Sequence, residues 1–573
     1  MVSRQMKTVL TCLAATALLG CGANVEQSPN GQPTKLLAVT AGVFGLTSDT
    51  NFYTVDTGGG LVFKIRRTDN GSSTQSAGDI ASMVYNGVEF QDQTRGSQLN
   101  SGFDYLYSGV SAVSVDATTV GTDYIKITVQ AGNLTHYYMA KRGVPDIFMG
   151  TYFTSEPDTL NLVRFIMRIP IAALPNGPTP SDIRNNTGAI ESGDVFGLAN
   201  GETRSKHYSN MRLKDWTSIG ATGSSVGVYM VRDNQEGGSG GPFYRSLLNQ
   251  GTDTNQEITY IVNYGESQTE AYRTGILNTY TLAFTGGAAP GTIDTSWFSG
   301  MGLNGYVGAT GRGRVTGVGI SGRDSSATYT VGFSNATAQY FTTAASDTGY
   351  YNMTGMRPGT YTMKIYRNEL AVDSRSVTVS AGGTTALNTI TIAGDPNSAT
   401  ALWRIGSWDG SPAEFINGSK VTTMHPSDVR MSSWNPADYV IGSSSPATGF
   451  PAYQWKSVNG TVTIKFNLTA AQVADHTLRV GITTAFSGAR PQVNVNPNTA
   501  NSWSSAVPAA STQPSTRSLT VGTYRGNNTT FSYAIPASAF VTGTNTLTIL
   551  PASGSSGTTY LSPGYSFDAV DLL

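Results

Sequence analysis

Tyr124-Ile125-Lys126-Ile127-Thr128-Val129 and, far downstream, Thr461-Val462-Thr463-Ile464-Lys465-Phe466 alternate apolar with polar residues between glycine and asparagine turns. Side chains two apart share one face of a strand, so each run buries one face and wets the other, the pattern of antiparallel sheets. Outward from these runs the 573-residue chain keeps the same character. Gly, Ser, Thr, Asn and Tyr are abundant, 13% of residues are charged, and long helical periodicity is nearly absent. The chain reads as all-β, and its length implies more than one domain.

At the N-terminus, Arg4 and Lys7 precede an apolar run over residues 8–19. That run is too short to span a bilayer and fits a signal peptide. It ends in Leu18-Leu19-Gly20-Cys21, which resembles the bacterial lipobox. The resemblance implies removal of residues 1–20 and lipidation of Cys21, with residues 21–34 as a polar tether and the lipid as the only membrane contact. Ordinary secretion, with cleavage near Ala23, is the alternative. Cys12 and Cys21 are the two cysteines, so the body of the mature chain has neither disulfide nor thiol chemistry. The four histidines (His136, His207, His425, His476) are scattered and lack zinc spacing, which argues against a transition-metal centre. A net charge of −1 gives no reason to expect a nucleic-acid partner.

Three segments follow the tether. Residues 35–312 hold most of the acid–base candidates, and residues 300–313 form a glycine-rich break. Residues 313–393 carry regularly spaced short runs, such as Ala327-Thr328-Tyr329-Thr330-Val331-Gly332-Phe333 and Gly359-Thr360-Tyr361-Thr362-Met363-Lys364-Ile365-Tyr366. They fit a small Ig-like or fibronectin-III-like sandwich. Residues 394–573 read as a larger sandwich of jelly-roll type. No internal repeat is visible, and a monomer is expected.

Within the first segment, Gly201-Glu202-Thr203-Arg204-Ser205-Lys206-His207-Tyr208 alternates charge. As a strand it would put Glu202, Arg204, Lys206 and Tyr208 on one side and Thr203, Ser205 and His207 on the other. A lysine beside an arginine is harder to protonate, and a second cation can neutralise an acidic substrate. Together they could take a proton from the carbon next to a carboxylate. The plainer alternative is a solvated strand face.

Several motifs, in order, resemble the family 4 rhamnogalacturonan lyases. They are Tyr138-Met139-Ala140-Lys141, Arg164-Phe165-Ile166-Met167-Arg168, Gly201 to Lys206, Gly238-Ser239-Gly240-Gly241-Pro242-Phe243 and Gln268-Thr269-Glu270-Ala271-Tyr272-Arg273. Ile405-Gly406-Ser407-Trp408-Asp409-Gly410 and Ala489-Arg490-Pro491-Gln492-Val493 complete the set. The resemblance implies a β-super-sandwich, a fibronectin-III-like domain and a carbohydrate-binding-module-like jelly roll. It also implies β-elimination in rhamnogalacturonan I, an acidic plant-wall polysaccharide, with no cofactor required.

That chemistry needs a base for C5–H, neutralisation of the adjacent carboxylate and assistance to the leaving oxygen. The family's lysine base falls on Lys206, Arg164 is a candidate partner for the substrate carboxylate, and Arg204 and Tyr208 share the substrate face. One departure stands out. Where the family has a histidine just before its Gln-Thr-Glu motif, this chain reads Asn263-Tyr264-Gly265-Glu266-Ser267. Glu266 with a raised pKa could protonate the leaving oxygen, as could Tyr264 or Tyr260. A shifted substrate preference and a lost activity are the alternatives, and the plainer reading of Glu266 is a surface carboxylate paired with a neighbour.

The Gly238–Phe243 run matches serine-hydrolase loops only superficially, because no helical pattern follows it; a tight glycine turn beside the cleft fits better. Glu266 and Glu270 could suggest a glycosidase pair, but spacing in sequence cannot set their separation. Trp403, Trp408, Trp434 and Trp455 read as sandwich core rather than as sugar-stacking faces. Arg490 and Arg525 could reach an acidic glycan, and Asp409 with nearby carbonyls could hold a structural calcium ion. Two function classes follow: an active lyase, or a non-catalytic surface glycan-binding lipoprotein on a lyase scaffold.

Overall fold

A computed structural model describes residues 42–69, 75–100, 103, 113–155, 162–238, 240–245, 247–264, 271–509, 515–522 and 527–573. At Leu162, Leu247, Asn263 and Tyr264 it describes the backbone alone. Cys21 and the N-terminal segments, Glu266, Glu270 and Arg525 lie outside the described residues.

The first domain is built from antiparallel sheets around one core. Five strands (Gly45–Ser48, Phe52–Asp56, Leu61–Arg66, Ile80–Tyr85 and Val88–Glu89) form a meander. A seven-stranded sheet runs in the order Ser218–Gly223, Val226–Arg232, Leu277–Thr285, Asp146–Phe153, Leu134–Lys141, Tyr124–Ala131 and Ser114–Val120. A four-stranded sheet orders Leu247–Gly251, Asn255–Tyr264, Leu162–Pro170 and Gln98–Leu99. Phe63 and Ile65, Ile127 and Val129, and Phe165 and Met167 bring the three sheets into a single apolar cluster.

Alternation holds where only one face is covered, as along Tyr124–Ala131. It disappears in Leu134–Lys141, buried from Leu134 to Ala140. There the segment carrying Trp297, Phe298 and Met301 covers the outer face over Tyr137, Met139 and Phe148. A strand covered on both sides has no wet face to mark with polar residues.

The second domain sandwiches the sheet Gln339–Thr343, Tyr329–Ser334, Gly359–Arg367 and Leu370–Val379 against the strands Tyr351–Met356, Gly313–Gly317 and Thr384–Leu387. Val331, Phe333, Tyr361, Met363 and Ile365 are among its core residues. In the third domain one sheet centres on Gly564–Leu572, which pairs with Trp403–Gly406, His476–Phe486 and Tyr453–Trp455. A second sheet orders Tyr439–Val440, Val462–Leu468, Gly543–Ala552, Arg490–Val495 and Trp503–Ser504. Trp403, Trp408, Trp434 and Trp455 are all buried, as core tryptophans would be.

Polar joints tie the domains together. Glu236 of the first domain is buried between Arg312 and Arg357, with Arg357 Nε 2.6 Å from Glu236 Oε2. The glycine loop sits at this joint. Gly241 N–H donates to Gln339 Oε1 (3.1 Å), and Gln339 Nε2 donates to the carbonyl of Gly237 (3.1 Å). Gly238, Gly240 and Gly241 all have positive φ, and a Cβ on Gly237 would overlap the Asn278 amide, so the loop needs glycine for close approach. Arg273, from the motif that follows, donates to the carbonyls of Gly238 (2.7 Å) and Asn335 (3.2 Å).

Where all three domains meet, a cavity of about 240 Å³ is lined by Arg212, Lys214, Phe243, Asn368, Glu369 and Asp409. Arg212 is ion-paired with the buried Glu369. Burial pushes Glu369 up to about 6. Burial and the Asp409 charge push Glu414 up to about 7. Asp568, fully buried and close to both Asp409 and Glu414, is raised well above the usual carboxylate range.

Candidate active site

The charged stretch does not form the long strand its alternation suggests. Only Thr203–Ser205 is extended, pairing with Val195–Gly197, and all three residues are buried. Ser205 then caps a 3₁₀ turn, Lys206–Ser209, by accepting the His207 N–H at 3.2 Å. A serine that can bond the backbone two residues ahead offers the chain this exit from the strand. On the strand itself, the third domain claims Thr203: its N–H and hydroxyl both donate to Asp428 Oδ2 at 2.7 Å.

The turn separates residues that a strand would have aligned. Arg204 is buried and bonds Glu202 Oε2 (2.6 Å) and the carbonyl of Thr203 (3.0 Å). Tyr208 is buried against Val195 and Val521, and its hydroxyl donates to the carbonyl of Thr520 at 3.0 Å. It is a joint to the third domain, not a substrate-facing phenol. Lys206 keeps 27% side-chain exposure, and its Nζ lies 2.8 Å from Asp194 Oδ1. Its ion-pair partner is therefore an anion, where the sequence suggests Arg204 as its neighbour.

Asp194 lies just ahead of Val195–Gly197, after a turn whose Ser192 and Gly193 have positive φ. Burial opposes its ionisation, yet the bond to and charge of Lys206, with His207 and Arg517 behind, hold its carboxyl below the ordinary range. His207 is buried with Nδ1 lacking a hydrogen-bond partner. Burial first, then the Lys206 charge, depresses its imidazole to about 4, so it is neutral at ordinary pH.

Arg164 is half-buried on Leu162–Pro170, directly after a register shift, and its charge also acts on His207. The neighbouring strand, Asn255–Tyr264, pairs Tyr264 with Leu162. In the same register Arg164 pairs with Ile261. Tyr260 is removed from this neighbourhood. It packs in the core 4.3 Å from Tyr280 and 5.6 Å from Trp216, centroid to centroid, and burial pushes its phenol up to about 12. Arg490 is also structural, donating to the carbonyls of Gly488 and Pro508.

The order of domains agrees with what is found among known proteins. The N-terminal model of rhamnogalacturonan lyase B matches residues 44–305. Models of domains II and III of polysaccharide lyase family 4 match residues 311–387 and 401–572. Rhamnogalacturonate lyase A of Emericella nidulans is 44% identical over 538 residues, 93% of this chain and 97% of the relative. The chain belongs to polysaccharide lyase family 4. Rhamnogalacturonate lyase A of Aspergillus aculeatus is 41% identical over 537 residues, with the same coverage of both chains. A probable rhamnogalacturonate lyase A of Aspergillus terreus is 43% identical over 531 residues, 92% of this chain and 95% of the relative.

In this family 4 lyase, Asp409 is hydrogen-bonded at both carboxylate oxygens. Its Oδ1 accepts the Ser411 N–H (2.9 Å) and its Oδ2 the Asn368 amide (2.8 Å). Among the described residues no three His, Cys, Asp or Glu side chains converge to hold a metal. Asp194, Glu191, Asp428, His425 and Arg517 were not singled out from the sequence. Only the Glu191-Ser192-Gly193-Asp194 turn carried a local signal, as a hairpin, and nothing in it points to a lysine twelve residues on.

Proposed function

We propose that this lyase cleaves the bond between rhamnose and O4 of galacturonate in rhamnogalacturonan I by β-elimination, with Lys206 as the base. The observation that carries the reading is the partly exposed side chain of Lys206 at the end of the buried strand Thr203–Ser205, next to a neutral His207 on which the Arg164 charge also acts. The names of the relatives agree with the substrate.

The steps follow from the chemistry. The cation of Arg164 meets the uronate carboxylate and stabilises the enolate-like transition state. Unprotonated Lys206 takes the C5 proton. The electron pair forms the C4–C5 double bond as the C4–O bond breaks, and the rhamnose-bearing oxygen leaves with a proton. Glu266 is proposed as the donor of that proton, with Tyr264 as the alternative.

The test is ultraviolet absorbance of the unsaturated uronate during incubation with rhamnogalacturonan I. Wild type raises the absorbance, and Lys206→Ala lowers the rate by about 10³-fold or more, the usual scale for losing a catalytic base with its positioning. An active Lys206→Ala overturns the assignment. Glu266→Ala and Tyr264→Phe then identify the acid.

For localisation we propose export with acylation at Cys21, on the lipobox at residues 18–21. The relatives compared above are fungal, and the family models begin at residue 44. Mass spectrometry of the mature N-terminus tests it: a diacylated cysteine supports the anchor, and a free Ala23 or Asn24 overturns it.

A further inference from the structure

Glu191 and Asp194 stand at the two ends of one tight turn. The strands Gly188–Glu191 and Val195–Gly197 are antiparallel, and the Asp194 N–H closes the turn onto the carbonyl of Glu191 at 3.0 Å. With Ser192 and Gly193 both at positive φ, little freedom separates the two carboxylates.

Glu191 belongs to the third domain as much as to the first. Its side chain is 1% exposed. Oε1 accepts from Arg517 Nε (2.8 Å), Arg517 Nη2 (2.6 Å) and Thr520 Oγ1 (2.8 Å), while Oε2 lies 3.1 Å from His425 Nε2. Every one of these partners comes from residues 401–572. Asp194, three residues on, turns the other way and meets Lys206. The strand that delivers Lys206 is held from the same side: Asp428 takes Thr203, and the His425 N–H donates to Thr203 Oγ1 at 3.0 Å.

We propose that Asp194 is the positioning residue of Lys206, and that the third domain sets its place by gripping Glu191. The proposal rests on Lys206 being the base. A lysine stem is a flexible four-carbon chain, so a free amine wanders over several ångströms. A carboxylate fixed beside it narrows that range, and a misplacement of about 1 Å at a reacting centre can cost about 10²-fold in rate. The third domain is then part of the catalytic scaffold and not only an appended glycan-binding module.

The experiment uses the full chain and reads kcat and KM on rhamnogalacturonan I separately, with the thermal midpoint measured alongside. Asp194→Asn is expected to lower kcat by about 10- to 100-fold with KM within about twofold, and Asp194→Glu to recover part of the loss. Glu191→Gln keeps the shape and removes the charge, and is expected to lower kcat by about tenfold. Thr520→Val removes a single donor to Glu191 and gives the same direction in a smaller step, which keeps the test open if Glu191→Gln does not fold. An unchanged kcat in Asp194→Asn, with Lys206→Ala inactive, overturns the positioning role and leaves the base in place. A rise in KM alone overturns it too, since Asp194 would then serve binding. A fully active Lys206→Ala removes the base assignment and this proposal with it.

Discussion

Two acid-rich seams join the third domain to the rest of the molecule, and they hold their protons in opposite ways. Beside Lys206, each carboxylate has cations or donors of its own: Glu191 has Arg517, His425 and Thr520, and Asp428 has Arg430 and Thr203. Both are held below the ordinary range although burial opposes it, Asp428 at about 2. At the three-domain junction, Glu414 and Asp568 crowd against Asp409 and one another, and burial raises them, with Glu369 beside them. Burial opposes ionisation at both seams; beside Lys206 the hydrogen-bond donors outweigh it, and at the junction it prevails, even for Glu369 with Arg212 beside it.

The signs of the pH effects differ accordingly. A carboxyl lowered on folding gives stability that is complete above its unfolded value and is lost as pH falls through its folded value. For Asp428 that window runs from 3.8 down to about 2. A carboxyl raised on folding lets the native state keep its proton longer. Glu414 therefore costs nothing below 4.5 and destabilises progressively as pH rises through about 7. His207, depressed from 6.5 to about 4, works against this trend over its own window by losing stability as pH falls. Single variants are thus more informative than the total profile.

The largest effect is expected from Glu191→Ala, which leaves Arg517 and His425 without their anion. Breaking such a buried pair from one side costs about 3–5 kcal/mol, to be read by chemical denaturation at neutral pH. A loss under about 1 kcal/mol would mean that the seam beside the lysine is no better fastened than an exposed pair. Glu414→Gln sharpens the contrast at the other seam. It should leave the thermal midpoint near pH 5 almost unchanged and raise it near pH 8, recovering on the order of 2 kcal/mol. Equal effects at both pH values would show that the Glu414 charge is not what strains the junction. Away from both seams, Lys465→Ala breaks a pair with Asp438 whose side chains are 43% and 44% exposed, and should cost no more than about 0.5 kcal/mol. A larger loss would put exposed pairs on the same footing as the seams.

Much of the fold could be read from residues whose surroundings are one-sided. Tyr124–Ala131 and Val462–Leu468 show their alternation because solvent covers one face of each. The four tryptophans of the third domain were legible as core because a sandwich of that size has few other places for them. Legibility ended wherever a second element arrived from far along the chain. Thr203–Ser205 looks like a one-sided strand until Asp428 and His425 cover it from more than two hundred residues away. Tyr260 was a plausible acid on sequence and is core because Trp216 and Tyr280 close over it. Lys206 could be located by motif, but its ion-pair partner could not, since a hairpin turn gives no sign of which cation it will face.

The placement of Gly564–Leu572 at the centre of its sheet sets an order in time. Trp403–Gly406 and Tyr453–Trp455 must wait for that strand before they have a neighbour. Between Gly406 and Gly564 lie 157 residues, and at roughly 5–20 residues per second the ribosome needs roughly 8–30 s to deliver them. Trp403 for all of that interval, and Tyr453 and Trp455 for its later part, have no sheet to enter, and the grip on Glu191 by Arg517 comes late too. A chain shortened by this one strand would lose the middle of the third domain rather than its rim, and the hold on the lysine would go with it.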